Sequence, residues 1–157
     1  MYRITRHIVF TALLFSLLIP VGGCQMVRKK LGVVTEISDP SPGSPEWVVM
    51  EAIKAAMEKD EPKAWAAFRE QLHSKELNSP ASEKNWRQMN FQTFRRKVKL
   101  YLEDDTRPYY KLHYLEADNN GHTKVYVHNE KSDMPTPCKV APDPKANGAW
   151  KITLCSL

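Results

Sequence analysis

The chain has 157 residues and a formal net charge of +5, from 23 basic and 18 acidic side chains. This length accommodates one domain and a tether. A charge excess so small and so evenly mixed gives no argument for a nucleic-acid-binding protein. Hydrophobic residues make up 42% and aromatic residues 10% of the chain, as in an ordinary globular core.

The first 24 residues have the organisation of an export signal. Arg3 and Arg6 form a short basic start, and an almost uninterrupted apolar run of about 14 residues extends from Ile8 to Val21. That run is too short to cross a membrane, which takes about 20 apolar residues. Two glycines and then Cys24 follow directly, so small residues stand where a signal peptidase would cut.

The four residues Val21-Gly22-Gly23-Cys24 resemble the lipobox of bacterial lipoproteins, with an aliphatic residue, two small residues and a cysteine. The resemblance implies that residues 1–23 are a signal peptide, and that Cys24 receives the acyl chains, palmitate among them, that hold the protein on a membrane. Because Gln25 is not the aspartate associated with inner-membrane retention, it also implies the outer membrane, with the domain facing the periplasm. Loss of the two signal arginines lowers the net charge from +5 to +3. An ordinary secreted protein cleaved near Gly23 is the alternative.

Residues 24–43 are predicted to be the lipidated cysteine and a flexible tether. Arg28-Lys29-Lys30 can attract anionic headgroups, although a merely solvated basic patch explains them equally well. Leu31 to Ile37 has β character and is compatible with an added edge strand. Turn-forming residues fill the stretch from Ser38 to Gly43. As a coil the tether would span roughly 25 Å, and a single domain is predicted over residues 44–157.

Three helices are predicted, starting at Ser44-Pro45, Asp60-Glu61-Pro62 and Ser79-Pro80, because each start combines a capping side chain with an early proline. The third helix is expected to run to Asp104-Asp105. Its buried stripe is predicted to contain Trp86, Met89 or Asn90, Phe94, Val98 and Tyr101. Its other side holds a basic cluster, which favours a solvated face over a binding site: Arg95, Arg96, Lys97 and Lys99.

The pattern changes to strand alternation after Pro108. Asn120-Gly121 predicts a two-residue type I′ hairpin turn. In that register Tyr114 faces Val127 on one side, and His113 faces His128 on the other. Two further strands are predicted at residues 136–141 and 149–154.

The expected fold is therefore α+β, with three N-terminal helices packed on a curved antiparallel sheet of about four strands. Two amphipathic helices joined at Lys59-Asp60-Glu61, followed by a strand meander ending in Gly148-Ala149-Trp150-Lys151-Ile152, resemble the nuclear-transport-factor-2-like superfamily. That superfamily includes ketosteroid isomerases and polyketide cyclases. The resemblance implies a cone-like fold, a dimer through the sheet, and an apolar cavity near five residues: Trp65, Phe68, Tyr110, Leu112 and Tyr114.

Few residues suggest catalysis. His113 and His128 could share a metal ion, but a closed zinc site takes four ligands and the neighbouring lysines favour a surface role. His73 ends the second helix, where a cap or surface position is expected. Neither a G-x-S-x-G nor an H-E-x-x-H motif is present. We predict no catalytic residue, no cofactor and no metal.

Cys138 and Cys155 are predicted to form a disulfide, because an even pair in an exported chain is typical of one. It would close a loop of about 18 residues and stabilise the fold by roughly 3 kcal/mol. A simple register that pairs Val140 with Ile152 puts the two sulfurs on opposite faces of the sheet. A bulge near residues 134–137, or a frayed end after Leu154, would bring them together. Two free thiols are the alternative.

The sequence leaves three functions open. The first is a non-catalytic envelope lipoprotein that binds a protein partner or supports an envelope assembly. The second is a carrier of a small apolar ligand in an aromatic-lined cone, and the third is a cyclase- or isomerase-like enzyme. A filled interior favours the first, an apolar cavity the second, and an acid or histidine pointing into that cavity the third.

Overall fold

The computed structural model describes residues 33–104 and 106–157. The predicted signal peptide, Cys24 and most of the predicted tether lie outside the described residues. The described chain is an α+β fold with one short strand, three helices and then four longer strands.

The expectation of three N-terminal helices on a sheet of about four strands is wrong in two respects. Strand β1 (Thr35–Ile37) comes before the helices, and it pairs antiparallel with residues 110–112 of the first strand after them. The sheet of the described residues therefore has five strands, in the order β1-β2-β3-β4-β5. Strand β1 lies within the stretch predicted to be tether, in the part from Leu31 to Ile37 whose β character is compatible with an added edge strand.

The three predicted helix starts are confirmed. Helix α1 spans Pro45–Met57 and helix α2 spans Glu61–Glu70. The side chains of Ser44, Asp60 and Ser79 each accept a hydrogen bond of 3.1 Å from the backbone N–H three residues later. Each cap thus satisfies one of the free N–H groups at a helix start.

The third helix, α3, is one continuous helical segment over residues 80–101. It consists of an α-helical turn, a π-helical turn, a second α-helical part and a 3-10 end: Pro80–Asn85, Trp86–Asn90, Phe91–Lys97 and Val98–Tyr101. In the π turn the Phe91 N–H donates to the Trp86 carbonyl, which adds one residue to the turn. Phe91 is therefore in the core, whereas Met89 is 62% exposed. The predicted core position at Met89 or Asn90 is wrong, because it assumes a uniform α-helical period.

The first long hairpin joins β2 (Tyr110–Ala117) to β3 (Thr123–Asn129) in a register one residue away from the predicted one. Tyr114 faces Tyr126 rather than Val127. The Asp118 N–H donates to the His122 carbonyl at 2.8 Å, which leaves three loop residues instead of two. Gly121 at the end of the loop has a φ of 75°. This is the three-residue hairpin with a left-handed glycine, not a type I′ turn.

A β-bulge in β2 lies between Leu112 and Tyr114. Leu112 faces Val127, and beyond the bulge Leu115 faces Val125. The extra residue, His113, turns Tyr114 to the solvent side of the sheet and keeps leucines on the core side. The bulge therefore lets the apolar faces of β2 and β3 lie on the same side of the sheet in a register that uniform alternation along β2 does not predict.

Strands β4 (Ser132–Asp143) and β5 (Ala149–Cys155) contain the disulfide. The predicted pairing of Val140 with Ile152 is confirmed, and a bulge between Lys139 and Val140 shifts the register beyond it. Cys138 then faces Cys155, and the two are bonded. The predicted disulfide is confirmed, with its bulge closer to the cysteines than residues 134–137.

The helices cover one face of the sheet, with α1 lying against β3, β4 and β5. The outer edge of β5 is covered by the segment that follows α2. The Ile152 N–H donates to the Gln71 carbonyl at 2.7 Å, and the His73 N–H donates to the Ile152 carbonyl at 2.8 Å. These bonds pair the β5 edge with residues of its own chain, as folded proteins commonly do with exposed edges.

Candidate functional site

Four of the five residues that the resemblance places near a cavity are buried in the core: Trp65, Phe68, Tyr110 and Leu112. The fifth, Tyr114, lies on the opposite face of the sheet because of the bulge at His113. There its ring stacks on that of Tyr126, with centroids 4.3 Å apart. The structure therefore separates Tyr114 from the other four.

The space between α2 and α3 is filled by aromatic rings around Phe68. The Phe68 ring centroid lies 4.7 Å from that of Phe91, 5.3 Å from that of Phe94, and 6.3 Å from those of Trp65 and Trp86. Such centroid separations are typical of packed aromatic clusters. The aromatic residues predicted to line a cavity here act as core.

Tyr110 is the one buried phenol among the predicted cavity residues. Its hydroxyl donates to the Glu46 carbonyl at 3.1 Å. Burial, and to a smaller extent the Glu46 charge, raises the pKa of Tyr110 far above its ordinary value. The phenol is thus neutral and bound to the start of α1, where it holds helix and sheet together.

The two histidines of the β2–β3 hairpin do lie together, although the predicted register is wrong. His113 Nε2 is 3.3 Å from His128 Nδ1, and His128 Nε2 is 3.9 Å from a Glu130 carboxylate oxygen. Both rings are partly buried on the solvent side of the sheet. The described residues contain no group of three or more His, Cys, Asp or Glu that could hold a metal ion. The pair is therefore a hydrogen-bonded contact within the sheet.

We expect the histidine pair to make stability fall on acidification. Burial, and then the charge of His128, lowers the pKa of His113 below 6.5. Because the unfolded chain then binds the proton more readily, this contribution is complete above pH 6.5 and is lost as the pH falls through the folded pKa. The free energy of unfolding of His113→Gln, measured from pH 7.5 to 5, should fall less than that of the natural chain.

A matched control for this prediction is Asn120→Gln, because Asn120 is an exposed residue in the turn of the same hairpin and does not titrate. The free energy of unfolding of this variant should fall between pH 7.5 and 5 by the same amount as that of the natural chain. A His113→Gln profile that coincides with the wild-type profile would contradict the assignment.

The solvent side of the sheet, which we call the outer sheet face, combines stacked tyrosines with ion pairs. Lys124 lies 3.3 Å from Glu116, Lys139 lies 3.5 Å from Asp118, and Lys111 bridges Glu103 and Glu130 at 3.1 and 3.0 Å. The face is defined by eight residues of β2, β3 and β4: Lys111, His113, Tyr114, Glu116, Lys124, Tyr126, His128 and Lys139. It presents partly exposed aromatic surface between charges of both signs.

A buried polar cluster, which the sequence pattern does not predict, joins the loop after α2 to the β4–β5 turn. Asp143 is only 2% exposed. Its carboxylate accepts from the Ser74 N–H at 2.7 Å, the Ser74 hydroxyl at 2.8 Å and the Lys145 N–H at 2.9 Å. Burial would raise the pKa of Asp143, but these hydrogen bonds outweigh burial and the pKa lies below its ordinary value.

His73 belongs to the same loop and is 3% exposed, so the surface position expected for it is wrong. Its Nδ1 accepts from the Lys75 N–H at 3.1 Å, a bond within the loop that involves no carbonyl of α2, so the cap expected at this position is not formed by the ring. The carboxylate of Asp143 bonds a serine 69 residues earlier. Only Asp143-Pro144, a cap-and-proline pair that starts a short 3-10 turn, gives a local signal for this cluster.

The substitution Asp143→Asn is expected to lower the free energy of unfolding by about 1–3 kcal/mol, because an amide presents N–H groups to donors that a carboxylate satisfies. Equilibrium unfolding in urea at pH 7 measures the change. Asp133→Asn, at an exposed position of β4, should change stability by less than about 0.5 kcal/mol. An Asp143→Asn chain as stable as this control would show that the cluster carries no charge-dependent stability.

A groove lies between the end of α1 and the second half of α3, and we call it the basic groove. Arg95 crosses it and donates to the carbonyls of Ala56 and Glu58 at 3.3 and 2.6 Å. Apolar side chains form part of its lining, and four cations surround it: Lys59, Arg95, Arg96 and Lys99. The predicted basic face of α3 is thus joined by a lysine from the α1–α2 connection.

No known protein family, no curated protein and no solved structure matches this chain. Within residues 33–104 and 106–157, no helix combines the length and apolar character needed to cross a membrane.

Proposed function

We propose that this chain is a bacterial envelope lipoprotein, anchored through Cys24 to the outer membrane, whose periplasmic domain is non-catalytic and binds an envelope protein. The observation that carries the proposal is the disulfide between Cys138 and Cys155. Disulfides persist in oxidising compartments such as the periplasm. Of the three cysteines in the sequence, the one left over is the lipobox cysteine, Cys24.

The filled interior supports a binding domain rather than a ligand carrier or an enzyme. Phe68 and its neighbouring rings occupy the space that a ligand would need. Tyr110, the buried phenol, is bound to a backbone carbonyl of α1. Asp143 is engaged by three donors of the fold. The contacts of Phe68, Tyr110 and Asp143 account for each of these residues as a contributor to the stability of the fold.

The outer sheet face is the surface that best fits a protein partner. Tyrosine is enriched at protein interfaces, because it combines a large apolar ring with a hydroxyl. The stacked pair of Tyr114 and Tyr126 lies at the centre of this face, and charges of both signs surround it. Charges in such a rim orient a partner more than they add affinity.

The intact mass of protein extracted from membranes tests the anchor. We expect a mass equal to residues 24–157 plus three acyl chains, with no cysteine alkylated until a reductant is added. An unlipidated chain that begins after the apolar run would overturn the anchor and leave a secreted protein. If two cysteines were alkylated without a reductant, the disulfide would be absent and would no longer support the proposal.

Photo-crosslinking tests the partner. A benzoylphenylalanine placed at position 126, at the centre of the outer sheet face, is compared with one at position 145, in the exposed β4–β5 turn. We expect one protein adduct at position 126 that disappears when Lys124→Glu and Lys139→Glu are added. Equal adducts at both positions would contradict the assignment of this face, and an adduct of twice the chain mass would identify a homodimer instead.

A further inference from the structure

We propose that the basic groove is a docking surface for the anionic headgroups of the membrane to which the chain is attached. This inference rests on the proposed lipid anchor at Cys24. It adds an orientation: the second half of α3 faces the bilayer, and the outer sheet face is left for a protein.

The cations of the groove differ from those of the sheet in what they contact. Lys111, Lys124 and Lys139 each form an ion pair with a carboxylate. Arg96 instead donates to the Thr93 hydroxyl, at 3.2 Å. Among residues 33–104 and 106–157, Lys59 makes no carboxylate ion pair. Lys59 and Arg96 therefore keep positive charge that no carboxylate of the described residues pairs with, unlike the three lysines of the sheet.

Arg95 offsets the partial negative charge of the α1 end, which would otherwise repel an anion from the basic groove. The C-terminal end of a helix carries partial negative charge from its free carbonyls, and α1 ends at Met57 beside the groove. The Arg95 guanidinium binds the Ala56 and Glu58 carbonyls there. It therefore offsets the negative helix end, so that this end does not oppose the attraction of an anion by Lys59 and Arg96.

The nearby acids indicate an extended anionic surface rather than one tightly held phosphate. Glu58, Asp60 and Glu61 adjoin Lys59, and they accept hydrogen bonds from Asp60, Lys63 and Gln92. Their charge weakens the local field, and the cations come from two separate parts of the chain, Lys59 after α1 and residues 95–99 of α3. Many headgroups acting together on dispersed lysines and arginines suit this arrangement, at about 1 kcal/mol for each cation.

The cations, rather than apolar side chains, would make the contact with the membrane. Of the apolar residues that line the groove, Met57 is partly exposed, whereas Val98 and Leu102 are buried in the core. The groove also adjoins residues that connect to β1, the first described strand. Glu103, next to Leu102, is 3.1 Å from Lys111, which is opposite Glu36 of β1.

The length of chain between the anchor and the sheet keeps the groove within reach of the bilayer. Strand β1 starts at Thr35, so ten residues separate it from Cys24 rather than the whole predicted tether. Even fully extended, ten residues reach no more than about 35 Å. This is about the diameter of a small domain, so the groove can face the bilayer without any strain on the connection.

Residue-by-residue acetylation of lysines tests the proposal on the natural lipidated chain. The protein is placed in vesicles of phosphatidylcholine, or of phosphatidylcholine with 30% phosphatidylglycerol, and each lysine is read by mass spectrometry. We expect acetylation of Lys59 and Lys99 to slow several-fold in the anionic vesicles only, and to recover in 1 M NaCl because salt screens the attraction. Lys75, Lys131 and Lys145 should react equally in both vesicles.

The double variant Lys59→Glu/Arg96→Glu should remove the protection of Lys99, whereas Lys75→Glu/Lys131→Glu, with the same net charge, should keep it. Arg95 is left in place because it caps α1. Equal reaction of Lys59 and Lys99 in both vesicles would overturn the proposal. Protection by inorganic phosphate in phosphatidylcholine vesicles, at matched ionic strength, would overturn it in favour of a free-phosphate site.

A separate measurement distinguishes a failed anchor from a failed groove. If the intact mass shows no acyl chains, sedimentation of the same protein with anionic vesicles measures the groove alone. Loss of two cations by neutralisation, as in Lys59→Gln/Arg96→Gln, should weaken that sedimentation roughly 30-fold. Equal sedimentation of this variant and the natural chain would reject the groove whatever the state of Cys24.

Discussion

The substitution Phe68→Ala is expected to lower the free energy of unfolding by about 3–5 kcal/mol, the cost typical of deleting a buried aromatic side chain. Phe68 is 0% exposed, and its ring contacts those of Phe91 and Phe94 at centroid distances of 4.7 and 5.3 Å. Phe91 and Phe94 both lie on α3, so neither ring can move into the cavity without a shift of that helix. Urea unfolding followed by tryptophan fluorescence measures the loss.

Phe68→Leu is the matched control, because it keeps an apolar side chain of similar reach and should cost less than about 2 kcal/mol. A loss below 1 kcal/mol for Phe68→Ala would mean that the ring is not tightly packed. In that case the region between α2 and α3 would be able to accept a ligand, and the carrier hypothesis would gain over the protein-binding one. The stability of this one variant thus bears directly on function.

The helix starts could be predicted from sequence because their causes are local. Ser44, Asp60 and Ser79 each bond a backbone N–H three residues later, so a tetrapeptide contains the whole interaction. The α+β composition follows from the same kind of information, since helical spacing gives way to alternation after Pro108.

The errors arise where the chain departs from a uniform period. The bulge at His113 moves Tyr114 from the predicted core face to the outer sheet face, and the π turn at Trp86–Asn90 moves Phe91 into the core. Nothing in the local sequence marks either extra residue. Both are fixed by what packs against them, as the two apolar faces must meet across the hairpin.

Contacts between distant residues could not be predicted for a different reason. Asp143 and Ser74 are 69 residues apart, and neither has a neighbour that requires the other. Cys138 and Cys155 were the exception, because an even pair of cysteines is itself a pairing signal, although only the bulge between Lys139 and Val140 brings their sulfurs to the same face. The basic groove is intermediate: the α3 cations are evident in the sequence, but their approach to Lys59 depends on how α1 and α3 pack.

Removing the disulfide, in Cys138→Ala/Cys155→Ala, is expected to lower the free energy of unfolding by about 3 kcal/mol. The bond links residues 17 apart, and opening a loop of this size restores that much conformational freedom to the unfolded chain. The melting temperature should fall by about 10 °C for a domain of this length. Thermal unfolding at pH 7 by circular dichroism measures both quantities.

Reduction of the natural chain is the control that isolates the cross-link from the cysteine side chains, of which Cys138 is fully buried. If the reduced chain and the double variant lose the same stability, the cross-link accounts for the effect. A loss of 3 kcal/mol increases the unfolded fraction roughly 150-fold, so the chain would be adapted to an oxidising compartment. If neither change lowers stability, folding does not depend on such a compartment, and the proposed lipid anchor at Cys24 would be the only remaining support for the proposed envelope location.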